Sequence, residues 1–121
     1  MAISVQARKA KGRKHQQKVA RAILDTFDTL SEDDVRSCSM GSNGADILMS
    51  SAAKALVPYE IECKARASGY TSLYDDMDQA RTHGSLEPVL IVKQDRRKEL
   101  VVMTMDHWLE LIARQTGPRT A

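Results

Sequence analysis

The chain has 121 residues, 42% hydrophobic and 28% charged, with a formal net charge of +2. These are ordinary values for one globular domain and leave little room for two sizeable cores. Apolar runs at 88–92 and 100–103 are far too short to span a bilayer, and the basic N-terminus lacks the apolar run of a signal peptide, so neither a membrane span nor export is expected.

Cys38 and Cys63 are the only cysteines; they form no CxxC pair and have no histidine at ligand spacing. A zinc site is therefore not expected, and both are read as reduced, buried thiols in a cytoplasmic protein. The small net charge hides an asymmetry. Arg8, Lys9, Lys11, Arg13, Lys14, Lys18 and Arg21 precede every acid, and Asp25, Asp28, Glu32, Asp33 and Asp34 follow at once. Such a basic stretch is drawn to a polyanion, with nucleic acid the usual one; a solvated, disordered tail is the alternative.

Residues 1–12 show no periodicity and are expected to be a flexible basic arm, followed by one domain over 13–115 and a flexible tail over 116–121. Val19, Ala20, Ile23, Leu24, Phe27 and Leu30 recur at helical spacing and predict a helix over 14–30. A polar turn at 31–34 precedes a strand over 35–40, a Gly-Ser-Asn-Gly turn at 41–44 and a second strand over 45–49. A connection over 50–57, with one helical turn around 52–56, leads to a third strand opened by Pro58. Tyr70, Leu73, Met77 and Ala80 predict a helix ending near His83–Gly84. The runs 88–93 and 99–104 read as a hairpin with a basic tip at Arg96, Arg97 and Lys98, candidate phosphate contacts or simply solubilising charges. Asp106 is the expected cap of a last helix stopped by Gly117–Pro118. Strands flanked by helices predict an α/β domain with a central mixed sheet of about five strands.

The chemistry concentrates between Gly44 and Lys64. In an extended strand Glu60, Glu62 and Lys64 project to one face, and Tyr59, Ile61, Cys63 and Ala65 to the other. If the preceding strand pairs alongside, Asp46 comes near Glu62. Two carboxylates suit a hard cation such as Mg²⁺ that keeps most of its waters, and the Cys63 backbone carbonyl would add a third protein ligand. Lys64 would then supply charge and a donor to the attacking water or a phosphate oxygen. Two surface acids and a lysine on a solvated strand are the bland alternative. Arg36, on the strand before the turn, is a further candidate phosphate contact.

The segments Asn43-Gly-Ala-Asp46-Ile, Pro58-Tyr-Glu-Ile-Glu62-Cys-Lys64 and Asp78-Gln79-Ala80 together resemble the PD-(D/E)XK nuclease superfamily. With the stretch from Leu30 to Gly41, the chain is similar to small phage proteins described as Holliday junction resolvase-like endonucleases. The resemblance implies an α-β-β-β-α-β core over about residues 12–112. It implies Asp46 and Glu62 as metal ligands, Lys64 as catalytic lysine, and Gln79 pointing back to the metal water or a phosphate. The implied function is Mg²⁺-dependent DNA endonuclease activity, with Mn²⁺ as substitute, on branched or junction DNA, by a homodimer. A nicking, end-processing or single-strand nuclease, or a silent DNA-binding protein of the same fold, are its alternatives. One departure is visible: the first-helix glutamate of many members falls here among His15, Gln16 and Gln17.

Overall fold

The structure is a computed structural model that describes residues 4–38 and 45–115. The expected turn at 41–44 and the helix stop at 117–118 lie outside the described residues. The elements run α1 (Val5–Thr26), β1 (Val35–Ser37), β2 (Ile47–Met49), α2 (Ser51–Leu56), α3 (Thr71–Arg81), β3 (Leu90–Val92), β4 (Leu100–Val102) and α4 (Met105–Gln115). The chain divides into two compact units, Met1–Ala65 with Ile112–Ala121, and Arg66–Leu111.

α1 starts nine residues before the apolar stripe predicts. Ser4 caps it, its hydroxyl accepting from Ala7 N–H at 3.0 Å. The Ala-, Lys- and Arg-rich opening turns are strong helix formers that bury nothing, so hydrophobic periodicity cannot report them. Where the stripe begins it behaves as expected: Gln16, Val19, Ala20 and Ile23 are buried. The helix stops at Thr26, where Phe27 turns extended, so the expected helix to Leu30 ends early. Phe27 and Leu30 stay buried from a turn tied by Leu30 N–H to Phe27 C=O at 3.1 Å. Thr, Phe and Asp are poor helix formers, and this run of them lets the chain turn while keeping its apolar contacts.

β1 and β2 pair antiparallel, Val35 opposite Met49 and Ser37 opposite Ile47. Val35 and Ile47 are buried, with β1 packed on α1, while Arg36 and Leu48 are exposed. Asp34 fixes the entry: its carboxylate accepts from Ser31 N–H at 2.8 Å and from the Ser50 hydroxyl at 2.7 Å. Ser50 in turn caps α2, accepting from Ala53 N–H at 3.2 Å.

The expected five-stranded central mixed sheet is not what forms. Among the described residues there are four helices and two separate two-stranded antiparallel sheets, β1–β2 and β3–β4. The expected third strand, from Pro58, joins no ladder. Asp46 N–H donates to Ile61 C=O at 3.0 Å, as a parallel ladder would begin. The next rung fails, because the Asp46 carbonyl accepts from Cys38 N–H (2.8 Å) and its carboxylate takes Cys63 N–H instead. Pro58 removes a further donor.

In the second unit, α3 buries Met77 and half-buries Leu73 and Ala80, the faces its spacing predicts. β3 and β4 form the expected hairpin, Leu90 opposite Val102 and Val92 opposite Leu100. Its turn closes with Arg97 N–H on Gln94 C=O at 3.0 Å and holds Arg96 at φ 65°, a left-handed conformation that costs an arginine. α4 is capped by Thr104, whose hydroxyl accepts from His107 N–H at 3.1 Å, and not by Asp106, which lies inside the first turn. Leu109 and Ile112 are buried along α4.

Candidate functional site

Asp46 is where three segments of the first unit meet. It sits at a bend before β2, and its amide, carbonyl and carboxylate each bind a different backbone group. The amide reaches Ile61 C=O, the carbonyl takes Cys38 N–H, and Oδ2 takes Cys63 N–H at 2.6 Å. That last bond is charge-assisted and holds the Glu60–Lys64 stretch beside β2 with Asp46 across from Glu62.

The alternation expected for this stretch holds only in its middle, from Glu60 to Lys64. Ile61 and Cys63 are half-buried, while Glu60, Glu62 and Lys64 are exposed. Tyr59 departs from it at 45% exposure, and Ala65 is exposed as well. Asp46, Glu60 and Glu62, with Ala45 and Ile61, line an open hollow of about 250 Å³. The structure thus brings Asp46 and Glu62 to one concavity and adds Glu60. Strand alternation already put Glu60 on the face of Glu62; only the fold of residue 46 shows that this face is a hollow.

Lys64 is not among the residues lining the hollow; its Nζ lies 3.6 Å from Glu62 Oε1 in a solvated ion pair. The Cys63 thiol is half-buried, not fully so as expected, and its pKa is raised by burial and then by the Asp46 and Glu62 charges. Both cysteines are free. Gln79 lies exposed on α3, in the second unit, its backbone carbonyl accepting from Thr82 N–H at 3.0 Å and the Thr82 hydroxyl at 2.6 Å. Gln16, one of the residues at the position of the superfamily's first-helix glutamate, is buried, whereas Gln17 is exposed.

Among the described residues no three His, Cys, Asp or Glu side chains gather in a group able to hold a metal ion. A closed site of the structural-zinc kind is therefore not formed there. The acids at the hollow, Asp46, Glu60 and Glu62, offer donors of another type, carboxylate oxygens, with one Asp46 oxygen already occupied by an amide. Hard oxygen donors in an open hollow are of the type that suits a hard cation rather than a soft one.

The basic residues fall on α1 and β1. Arg8, Lys9, Lys11, Arg13 and Lys14 all belong to α1, so residues 5–12 of the expected arm are helical. Arg36 is exposed on β1 and helps line a cavity of about 460 Å³ between α1 and β1, with Gln17, Arg21 and Glu32. Arg21 there is engaged by Glu32 at 2.8 Å, which raises its pKa. No helix among the described residues is long and apolar enough to cross a membrane. Comparison of the chain with protein-family models, with curated proteins and with solved structures finds no match.

Proposed function

We propose that the chain is a metal-dependent nuclease that hydrolyses phosphodiester bonds in DNA, working from the hollow formed by Asp46, Glu60 and Glu62. The observation that carries the reading is the convergence of Asp46 and Glu62 on one open concavity beside a lysine. The expected five-stranded central sheet is absent among the described residues, so the reading rests on this local constellation and on the basic helix α1, which carries no acid before Asp25.

Asp46, Glu62 and the Cys63 carbonyl would hold Mg²⁺, with Mn²⁺ as substitute. When bound, such a cation makes water a nucleophile near neutral pH and neutralises charge on phosphoryl oxygens. Asp46 contributes through its free oxygen, since the other is fixed by Cys63 N–H, and that bond sets the direction in which the free oxygen points. Lys64 is solvated and paired only at 3.6 Å, free to turn from Glu62 to a non-bridging phosphate oxygen as negative charge grows there. Branched or junction DNA is the proposed substrate and a homodimer the proposed assembly. Exposed Ile91, Leu100 and Val101 on the hairpin support self-association. The two free cysteines suit a cytoplasmic setting.

A second reading, a DNA-binding protein without catalysis, is favoured by one feature: the Asp46 carboxylate already serves the backbone, which is reason enough for an acid there. Cleavage of a labelled four-way junction and its matching linear duplex with Mg²⁺, Mn²⁺ and EDTA separates the two. The nuclease reading expects metal-dependent cutting that Glu62→Ala and Lys64→Ala each reduce by about 100-fold or more. Asp46→Asn keeps an oxygen acceptor for Cys63 N–H, so it should fold and yet cut poorly. Intact binding with no cutting under any metal would leave the silent protein.

A further inference from the structure

α1 carries two faces of opposite use. At 3.6 residues per turn, buried Gln16, Val19, Ala20 and Ile23 lie together on one side. Lys11, Lys14 and Lys18 fall within about 60° of arc on the other side, in a row roughly 10 Å long. Lys9 and Arg13 share neither position; they project on the side that becomes buried one or two turns later. Arg21 continues the lysine row but is held by Glu32 at 2.8 Å. No acid occurs in the helix before Asp25, and none lies in its first turn.

We infer that Lys11, Lys14 and Lys18 form a rigid phosphate-contact row by which α1 lies along the sugar–phosphate backbone of duplex nucleic acid. This rests on the nucleic-acid reading above and deepens it, since a folded row with a defined phase replaces a flexible arm. Charge complementarity selects a polyanion. The apolar face decides which one. An interfacial helix needs a continuous free apolar face to enter a lipid headgroup layer, whereas Val19, Ala20 and Ile23 of α1 are already buried within the protein and Val5 is the one large apolar side chain it exposes. The positive end of the helix dipole, capped by the neutral Ser4 hydroxyl and with no acid in the first turn to offset it, adds to the attraction at the start of the helix. A row lying along the phosphate backbone keeps its lysines on phosphates and out of the grooves, so the contact is independent of sequence.

The test is anisotropy of a fluorescein-labelled, mixed-sequence duplex in EDTA, titrated with the full chain between 50 and 200 mM salt. Each phosphate contact contributes about −0.9 to the slope of log K against log salt. The triple variant Lys11→Gln, Lys14→Gln, Lys18→Gln should therefore be flatter by about 2.7. Over that salt range wild type should lose about fortyfold more affinity than the triple variant. Arg21→Gln, whose charge is already paired, should keep the wild-type slope. Glutamine matches lysine in helix propensity, and far-UV circular dichroism checks that the helix is kept. An unchanged slope in the triple variant overturns the proposal, as does an equal loss in Arg21→Gln. Binding to phosphatidylserine vesicles but not to duplex overturns it in favour of a membrane surface. Altered slopes with no cleavage of any DNA would remove the nuclease and leave the row; cleavage with unaltered slopes would do the reverse.

Discussion

Asp34 shows how one carboxylate fixes the geometry of its surroundings. It gathers the Ser31 amide, the Ser31 hydroxyl and the Ser50 hydroxyl, joining the turn before β1 to the cap of α2. The Ser31 amide first, then the Ser50 hydroxyl, hold its pKa below the usual carboxylate range. A depressed folded pKa contributes stability that is fully present above the unfolded value, about 3.9, and is lost as pH falls through the folded pKa. Asp34→Asn should therefore lower the thermal midpoint at pH 7, and the gap to wild type should close as acid protonates Asp34. Melts followed by circular dichroism across that range check it; a gap independent of pH would mean that charge plays no part. Asp46 belongs to the same class of residue, an acid whose first task is to accept a backbone amide. A sequence reading finds the acid easily, whereas the amide that one of its oxygens accepts is visible only in the fold.

Among the elements, caps discriminate finely. α4 is a helix whose strongest start signal in the sequence is Asp106, yet the hydroxyl of Thr104 takes the His107 amide. Thr104→Ala should cost about 1 kcal/mol. Asp106→Ala should cost less, on the order of 0.5 kcal/mol from the dipole alone. Urea unfolding of both variants checks the order, and the reverse order would restore Asp106 as the cap. Much at this scale was legible in advance. The stripe of α1, the face of α3, the β1–β2 pair and the β3–β4 hairpin all follow from the spacing of apolar residues, because burial is what periodicity records. The first turns of α1 were not legible, since they bury nothing. Nor was the missing central sheet: Tyr59 to Ala65 alternates like a strand, but alternation gives the faces of an extended segment and not whether its amides find a ladder. The Asp46 carboxylate decides that, by taking the one amide the next rung needed.

For the molecule as a whole, apolar burial is uneven. Val19, Ile23, Phe27, Val35, Ile47 and Val57 give the first unit its core, all below 9% exposure. In the second unit Met77 and Leu109 are the buried apolar residues among those described. The hollow and the lysine row both belong to the well-cored unit, which gives the proposed site rigid support. The site was legible as residue types (an acid, then Glu-x-Glu-x-Lys after a proline), while Glu60's place in the hollow depends on where residue 46 bends.

Among the described residues the hairpin's two strands pair with each other alone, each with one edge of amides and carbonyls outside the ladder, and Ile91, Leu100 and Val101 are 57–66% exposed beside those edges. Short β-branched runs with open edges are templates for growth of cross-β fibrils. Lys93 and the Arg96–Lys98 tip then act as gatekeepers, keeping copies apart by charge before any ligand is considered. Replacing Arg96, Arg97 and Lys98 by glutamine should shorten the lag before thioflavin-T fluorescence rises in concentrated solutions. A lag equal to wild type would show that the tip has no such task. Raising the salt should shorten the wild-type lag in the same direction, since screening removes the same repulsion. On this view the shelf life of the protein is set at the hairpin, far along the chain from the acids that give it a proposed chemistry.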